Sequence, residues 1–127
     1  MTKRALIAIV DDDESMRVST ATLMRSFGFA ARGFASAEEF LQSPELGETS
    51  CLISDVQMPG IGGIELQNML VAKGKSVPII FITAFPDERV RAQAMEAGAI
   101  CFLSKPFEGS TLIQCINDAL KTKSGQG

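Results

Sequence analysis

Six side chains in this sequence are of types and spacings that can do chemistry together. Asp11, Asp12 and Asp13 follow the apolar run ALIAIV, Asp55 follows SCLIS, Thr83 closes VPIIFIT, and Lys105 stands two residues after AICFL. Carboxylates that converge repel one another unless a cation sits among them. Hard oxygen donors with room for retained water suit Mg²⁺, and Lys105 would add a second positive charge. Each feature alone has a plainer explanation: acids favour the start of a helix, Asp55 before VQMPG suits a turn, Thr83 is an ordinary β-branched strand residue, and Lys105 could be a solvated loop lysine. Three acids in a row exceed what a helix cap needs, however, and Asp13 alone is enough for that role. The chain has no histidine, which removes Ser-His-Asp triads, Cys-His pairs and HExxH metal sites together.

Positioning such a set requires several strands that end on one edge. Five short β-prone runs occur in order, at residues 5 to 10, 29 to 34, 50 to 54, 77 to 83 and 99 to 103. The first and fourth are apolar at nearly every residue, as central parallel strands are, whereas Arg32 and Gly33 mark the second as an edge. Helical periodicity links the runs. Met16, Thr20, Leu23, Met24 and Phe27 form one stripe that Gly28 stops, and Leu112, Ile113, Ile116, Ala119 and Leu120 form another. Ser36 and Glu39 have capping-box spacing ahead of a short second helix. Helices over about 64 to 73 and 87 to 97 are assigned partly by elimination. Five alternating pairs predict an α/β fold, a (βα)₅ doubly wound parallel five-stranded sheet with helices on both faces. In the flavodoxin-like order 2-1-3-4-5 the first and third strands are neighbours, so Asp11, Asp12 and Asp55 converge beside the point where strand order reverses.

A chain of 127 residues is the size of one domain with one core. Residues 1 to 121 are expected to form it, and the polar KTKSGQG end suggests a flexible tail or the start of a linker over 122 to 127. With 46% hydrophobic and 21% charged residues and a net charge of -3, neither disorder nor nucleic-acid binding by this segment is supported. The first apolar run is too short for a signal peptide or membrane span, which places the protein in the cytoplasm with no membrane partner. Cys51, Cys101 and Cys115 are odd in number and form no CxxC pair. They read as small core residues rather than a disulfide framework or zinc site.

IVDD at residues 9 to 12, DVQMPG from Asp55, ITA ending at Ala84 and LSKPF around Lys105 together resemble the receiver domain of bacterial two-component response regulators, the CheY-like fold, over nearly the whole chain. FASAEEFL and ITAFPDERVRAQAMEAGA resemble receivers of the FixJ/LuxR type. The resemblance implies a phosphorylation-dependent signalling switch. Asp55 would be the phosphoacceptor and a sensor histidine kinase the donor. Asp12 and Asp55 would hold Mg²⁺ with the backbone carbonyl of Gln57, and Asp11 would assist through water. Thr83 and Lys105 would contact the phosphoryl oxygens, Ala84 would leave space for them, and Thr83 with Phe102 would form the switch. Gln57 and Phe85 would tune dephosphorylation. The helix 4, strand 5, helix 5 surface would control dimerisation or an output partner. Pro106 stands where the family commonly has a cis peptide.

Other functions fit less well. A haloacid-dehalogenase-like phosphohydrolase carries a second acid two residues after its nucleophile, where this chain has Gln57. The expectation is therefore self-catalysed phosphotransfer and dephosphorylation rather than turnover of external substrates. A flavin module would meet three acids at its phosphate site and no Trp or Tyr for stacking. A receiver fold that is never phosphorylated is disfavoured because every matching site residue is intact.

Overall fold

The computed structural model describes residues 5 to 126, with side chains described for 5 to 121. Its strands are β1 (Leu6–Val10), β2 (Ala30–Phe34), β3 (Cys51–Asp55), β4 (Ile79–Thr83) and β5 (Cys101–Ser104), and its helices are α1 (Glu14–Ser26), α2 (Ala37–Leu41), α3 (Gly63–Ala72), α4 (Glu88–Glu96) and α5 (Gly109–Gln126). The strands pair in parallel in the order β2-β1-β3-β4-β5. This is the doubly wound (βα)₅ architecture that the alternating pattern predicts. All residues of β3 and β4 are buried, whereas β2 and β5 are partly exposed, as central and edge strands should be.

Period-two alternation divides the apolar residues between the two faces of the sheet. Ile7 and Ile9 of β1 join Ile53, Ile80 and Ile82 under Met24 of α1 and Leu112 and Ile116 of α5. Ala8 and Val10 join Leu52 and Phe81 under Phe40 of α2 and Leu66 and Leu70 of α3. Fully burying one such aliphatic side chain stabilises by roughly 1.5–3 kcal/mol, so both faces hold the strands in register. Among the described residues no helix is long and apolar enough to cross a membrane.

Local signals act where expected. Ser36 caps α2 by accepting a hydrogen bond from the Glu39 amide at 3.1 Å. Asp13 caps α1 by accepting one from the Met16 amide. Gly33 lets β2 pass beneath Arg17, since a Cβ there would stand 2.8 Å from Arg17 Cγ. A 3₁₀ helix at Pro44–Glu48 was not expected. Its signal is Ser43, whose hydroxyl accepts from the Glu45 amide, followed by Pro44.

The α5 backbone continues to Gln126; the side chains of the expected tail over 122 to 127 lie outside the described residues. One feature departs from the sequence reading. Cys101 and Cys115 are joined in a disulfide with Cα atoms 6.3 Å apart, not held as separate core thiols. The pair escapes a sequence reading because α5 runs back over the sheet and returns Cys115 to the start of β5. Cys51 is buried in β3.

Gly63, the first residue of α3, lies directly on the β3 end. A Cβ there would collide with the Asp55 carbonyl oxygen and stand 3.0 Å from the Phe81 ring. Because that oxygen belongs to the backbone of a fully buried strand, Gly63→Ala is expected to lower stability by about 1–3 kcal/mol. Urea unfolding checks this, and an unchanged midpoint would show that α3 shifts without cost.

Candidate functional site

The sheet carries its hydrogen-bond ladders one residue past three strand ends and so delivers backbone of the site to fixed places. The Asp11 amide donates to Phe34 O at 3.1 Å, the Val56 amide to Ile82 O at 3.1 Å and the Lys105 amide to Thr83 O at 2.7 Å. Four strands, β1, β3, β4 and β5, thereby aim Asp11, Asp55, Thr83 and Lys105 at one edge.

Lys105 joins the acids. Its ammonium lies 3.0 Å from Asp55 Oδ2 and 3.3 Å from Asp11 Oδ2, bringing together residues 50 and 94 positions apart in sequence. The remaining carboxylate oxygens have backbone donors: Asp11 Oδ1 accepts from the Asp13 amide at 2.9 Å, and Asp55 Oδ1 from the Gln57 amide at 3.0 Å. Arg17, which the sequence reading missed, donates to the Asp11 carbonyl at 2.8 Å and fastens the β1–α1 turn. Ser54 likewise donates to the Asp55 carbonyl at 2.9 Å. Neither residue carries a motif; both are recognisable only by their partners.

Asp11 and Asp55 are buried, Asp12 is exposed, and one carboxylate oxygen from each lies within 4.8 Å of the others. An all-oxygen donor set with one open side fits a hard cation that keeps part of its water, as Mg²⁺ does. Burial raises the Asp11 pKa above its ordinary value and the Asp55 charge adds to the rise, while the Asp13 amide and Lys105 oppose it. Burial by itself would lower the Lys105 pKa, but the hydrogen bond to Asp55 and the charges of Asp11 and Asp55 outweigh it and raise the pKa. The lysine is thus held as a cation, and its share of stability is present below pH 10.5 and lost above its raised pKa.

Thr83 is 1% exposed, and its hydroxyl oxygen accepts from the Phe85 amide at 3.0 Å. Ala84, Gln57 and Phe85 are exposed around the site, Phe85 at 69%. Phe102 is half-buried, its ring 6.3 Å from that of Phe81. Phe102 pairs with Phe81 and Ser104 with Thr83 across β4 and β5, so Thr83 and Phe102 share the sheet face that α3 and α4 cover. The Lys105–Pro106 peptide is cis.

Comparison with known proteins gives a consistent result. The family pattern of the response regulator receiver domain matches residues 7–117. Nodulation protein W of Bradyrhizobium diazoefficiens is 42% identical over 113 residues, covering 89% of this chain and 50% of that protein. Transcriptional regulatory protein FixJ of the same organism is 38% identical over 121 residues, covering 95% and 59%. The chain therefore spans about half the length of the curated relatives it matches. Among solved structures, the response regulator StyR superposes with a TM-score of 0.89 at 41% identity, covering 98% of this chain and 63% of that one. FixJ-N superposes with 0.84 at 34% identity, covering 94% and 96%.

The raised Asp11 pKa has a definite sign in stability. Above pH 3.8, the ordinary value, the folded state holds the Asp11 proton more tightly than the unfolded chain, so without metal this residue's contribution falls as pH rises. Asp11→Asn should abolish that decline and leave the protein at least as stable as wild type at neutral pH in chelator. Urea unfolding from pH 4 to 7 measures it. A less stable variant would mean that the Lys105 pairing outweighs the burial cost.

Proposed function

Since the chain belongs to the response regulator receiver domain family, we propose that it is a signalling switch in which Asp55 accepts a phosphoryl group from a sensor histidine kinase. The observation that carries this reading is the Asp55 carboxylate, held at the end of β3, 3.0 Å from the Lys105 ammonium and within the Asp11 and Asp12 cluster. An Asp55 oxygen attacks phosphorus, the bond from phosphorus to the donor nitrogen breaks, and an acyl phosphate forms. Attack by a carboxylate needs no general base; it needs the charge of the arriving group neutralised and the group held in line. Bound Mg²⁺ supplies part of that neutralisation.

Asp12, Asp55 and the Gln57 carbonyl would hold the metal, with Asp11 assisting through water. Lys105, already directed at Asp55, pairs with a phosphoryl oxygen. The Thr83 hydroxyl accepts from the Phe85 amide and so retains its own proton to donate, while Ala84 adds no bulk. Gln57 and Phe85 border the approach of hydrolytic water. Gln57 orients water without ionising and Phe85 is an apolar wall, so hydrolysis is slow and self-catalysed, with no external substrate turned over.

Residues 1 to 121 form the receiver unit, working in the cytoplasm, and 122 to 127 are a tail, or the start of a linker within a whole regulator of which this chain is part. Relatives named as transcriptional regulatory proteins point to transcription as the output of that whole protein, with nucleic acid bound outside this acidic segment.

Acetyl phosphate should label the protein only when Mg²⁺ is present, and only on Asp55. Intact-protein mass spectrometry checks this, and undiminished labelling of Asp55→Asn would sink the assignment. In the same assay Phe85→Ala should lose its label faster than wild type; an equal or longer lifetime would remove Phe85 from the hydrolytic approach.

Phosphorylation brings the Asp55 group to a charge near -1.5 to -2. Thr83 then turns toward it and vacates space on the face it shares with Phe102, which rotates inward. Phe102 lacks the hydroxyl of a tyrosine, so packing alone separates its two positions. Coupling of this kind is typically ~1–3 kcal/mol, enough to control self-association through α4, β5 and α5. Light scattering with beryllofluoride should show association of wild type and weaker association of Thr83→Ala and Phe102→Ala. Equal responses in all three would break the proposed linkage.

A further inference from the structure

The phosphoacceptor site makes no use of the disulfide partners. Cys101 opens β5 and Cys115 lies in α5, with Cα atoms 6.3 Å apart, inside the roughly 4.4–6.8 Å that a disulfide spans. The bond closes a ring of chain with a sequence separation of 14. That ring contains Phe102, directly after Cys101, and Lys105, whose ammonium reaches Asp11 and Asp55. The two residues differ in exposure. Cys115 is only 6% exposed, whereas Cys101 is half-buried, so a small reagent meets Cys101 first and Cys115 is placed to resolve the product.

We infer that Cys101 and Cys115 form a reversible dithiol–disulfide site, oxidised by a low-molecular-weight disulfide of the glutathione class, that fastens β5 to α5. Its effect on output rests on the switch reading above; its chemistry does not. The Cys101 thiolate attacks one sulfur of the small disulfide, forming a mixed disulfide and releasing one thiol. The Cys115 thiolate then attacks the Cys101 sulfur, forming the protein bond and releasing the second thiol. Two protein thiols are oxidised, one small disulfide is reduced to two thiols, and the two protons pass from protein to products. In a reducing compartment static disulfides are rare, and those that form are transient or redox-sensing. In the dithiol form, β5 and α5 are joined only by packing and by the loop that carries Lys105. In the oxidised form both ends of that segment are fixed, which removes conformations it could otherwise sample and restrains the β5 backbone that carries Phe102 on the other face of the sheet.

The test uses the full chain, reduced and then treated while folded with glutathione disulfide. Wild type should lose two hydrogens with no glutathione retained, digestion should map the bridge to Cys101 and Cys115, and dithiothreitol should reverse it. Cys115→Ser should instead retain glutathione on Cys101. A lasting mixed disulfide on wild type, a bridge to Cys51, or reaction only after unfolding would overturn the site. For the consequence, hydrogen exchange across residues 101 to 115 is compared with and without beryllofluoride. The response of the oxidised protein should be smaller than that of the reduced protein by about fivefold or more. Equal responses would overturn the regulatory effect while leaving the mapped bridge in place. If the reduced protein takes neither label nor beryllofluoride, the phosphoacceptor reading fails, and the regulatory effect with it, independently of the mapping.

Discussion

Everything at the sheet edge answers to the cost of gathering carboxylates where water is scarce. Asp11 and Asp55 are buried and joined by Asp12, so like charges gather where hydration is scarce, and burial with the neighbouring Asp55 charge acts against the ionised form of Asp11. The structure meets that cost with a lysine from the far edge strand, 3.0 and 3.3 Å from two of the acids, and with backbone amides on the oxygens the lysine does not reach. The compensation is partial, since burial still raises the Asp11 pKa. A residual deficit of positive charge suits a site that admits a further cation on its open side, next to Asp12.

Holding that arrangement is the work of the sheet. Lys105 can reach Asp55 only because β4 and β5 pair in a register that sets Thr83 opposite Ser104, and Asp11 faces the same place because β1 lies beside β3. A one-residue slip would turn these side chains to the other face. The two hydrophobic layers make such a slip costly, because each residue of β3 is buried and would lose its packing. Core packing and site chemistry are therefore one constraint. Gly63 shows this at a single position, where the start of α3 packs on the carbonyl of Asp55.

The sheet also gives the site a route outward. Thr83 and Phe102 lie on one face of adjacent strands, and Phe102 borders a small cavity of about 140 Å³ with Pro86, Glu88 and Arg91 at the start of α4. The proposed movement at Thr83 would be passed on along this face by packing beneath α4. The disulfide joins β5 to α5 on the opposite face of the sheet, where Cys101 pairs with Ile80 and both cysteines pack with α1 and α5.

Much of this was legible in the sequence because its signals are local. Alternating apolar runs set five strands and their helices, Ser36 and Asp13 announced their caps, and the polar residues after each run marked one sheet edge. The receiver resemblance added roles that spacing alone did not carry. What required the tertiary structure was every relation between distant segments. The approach of Lys105 to Asp11 across 94 positions, the fastening of the Asp11 carbonyl by Arg17, and the meeting of Cys101 with Cys115 depend on strand order and on where helices return over the sheet. Local propensity acts over a few residues, whereas charge balance, burial and covalent pairing are decided by neighbours that only folding brings together.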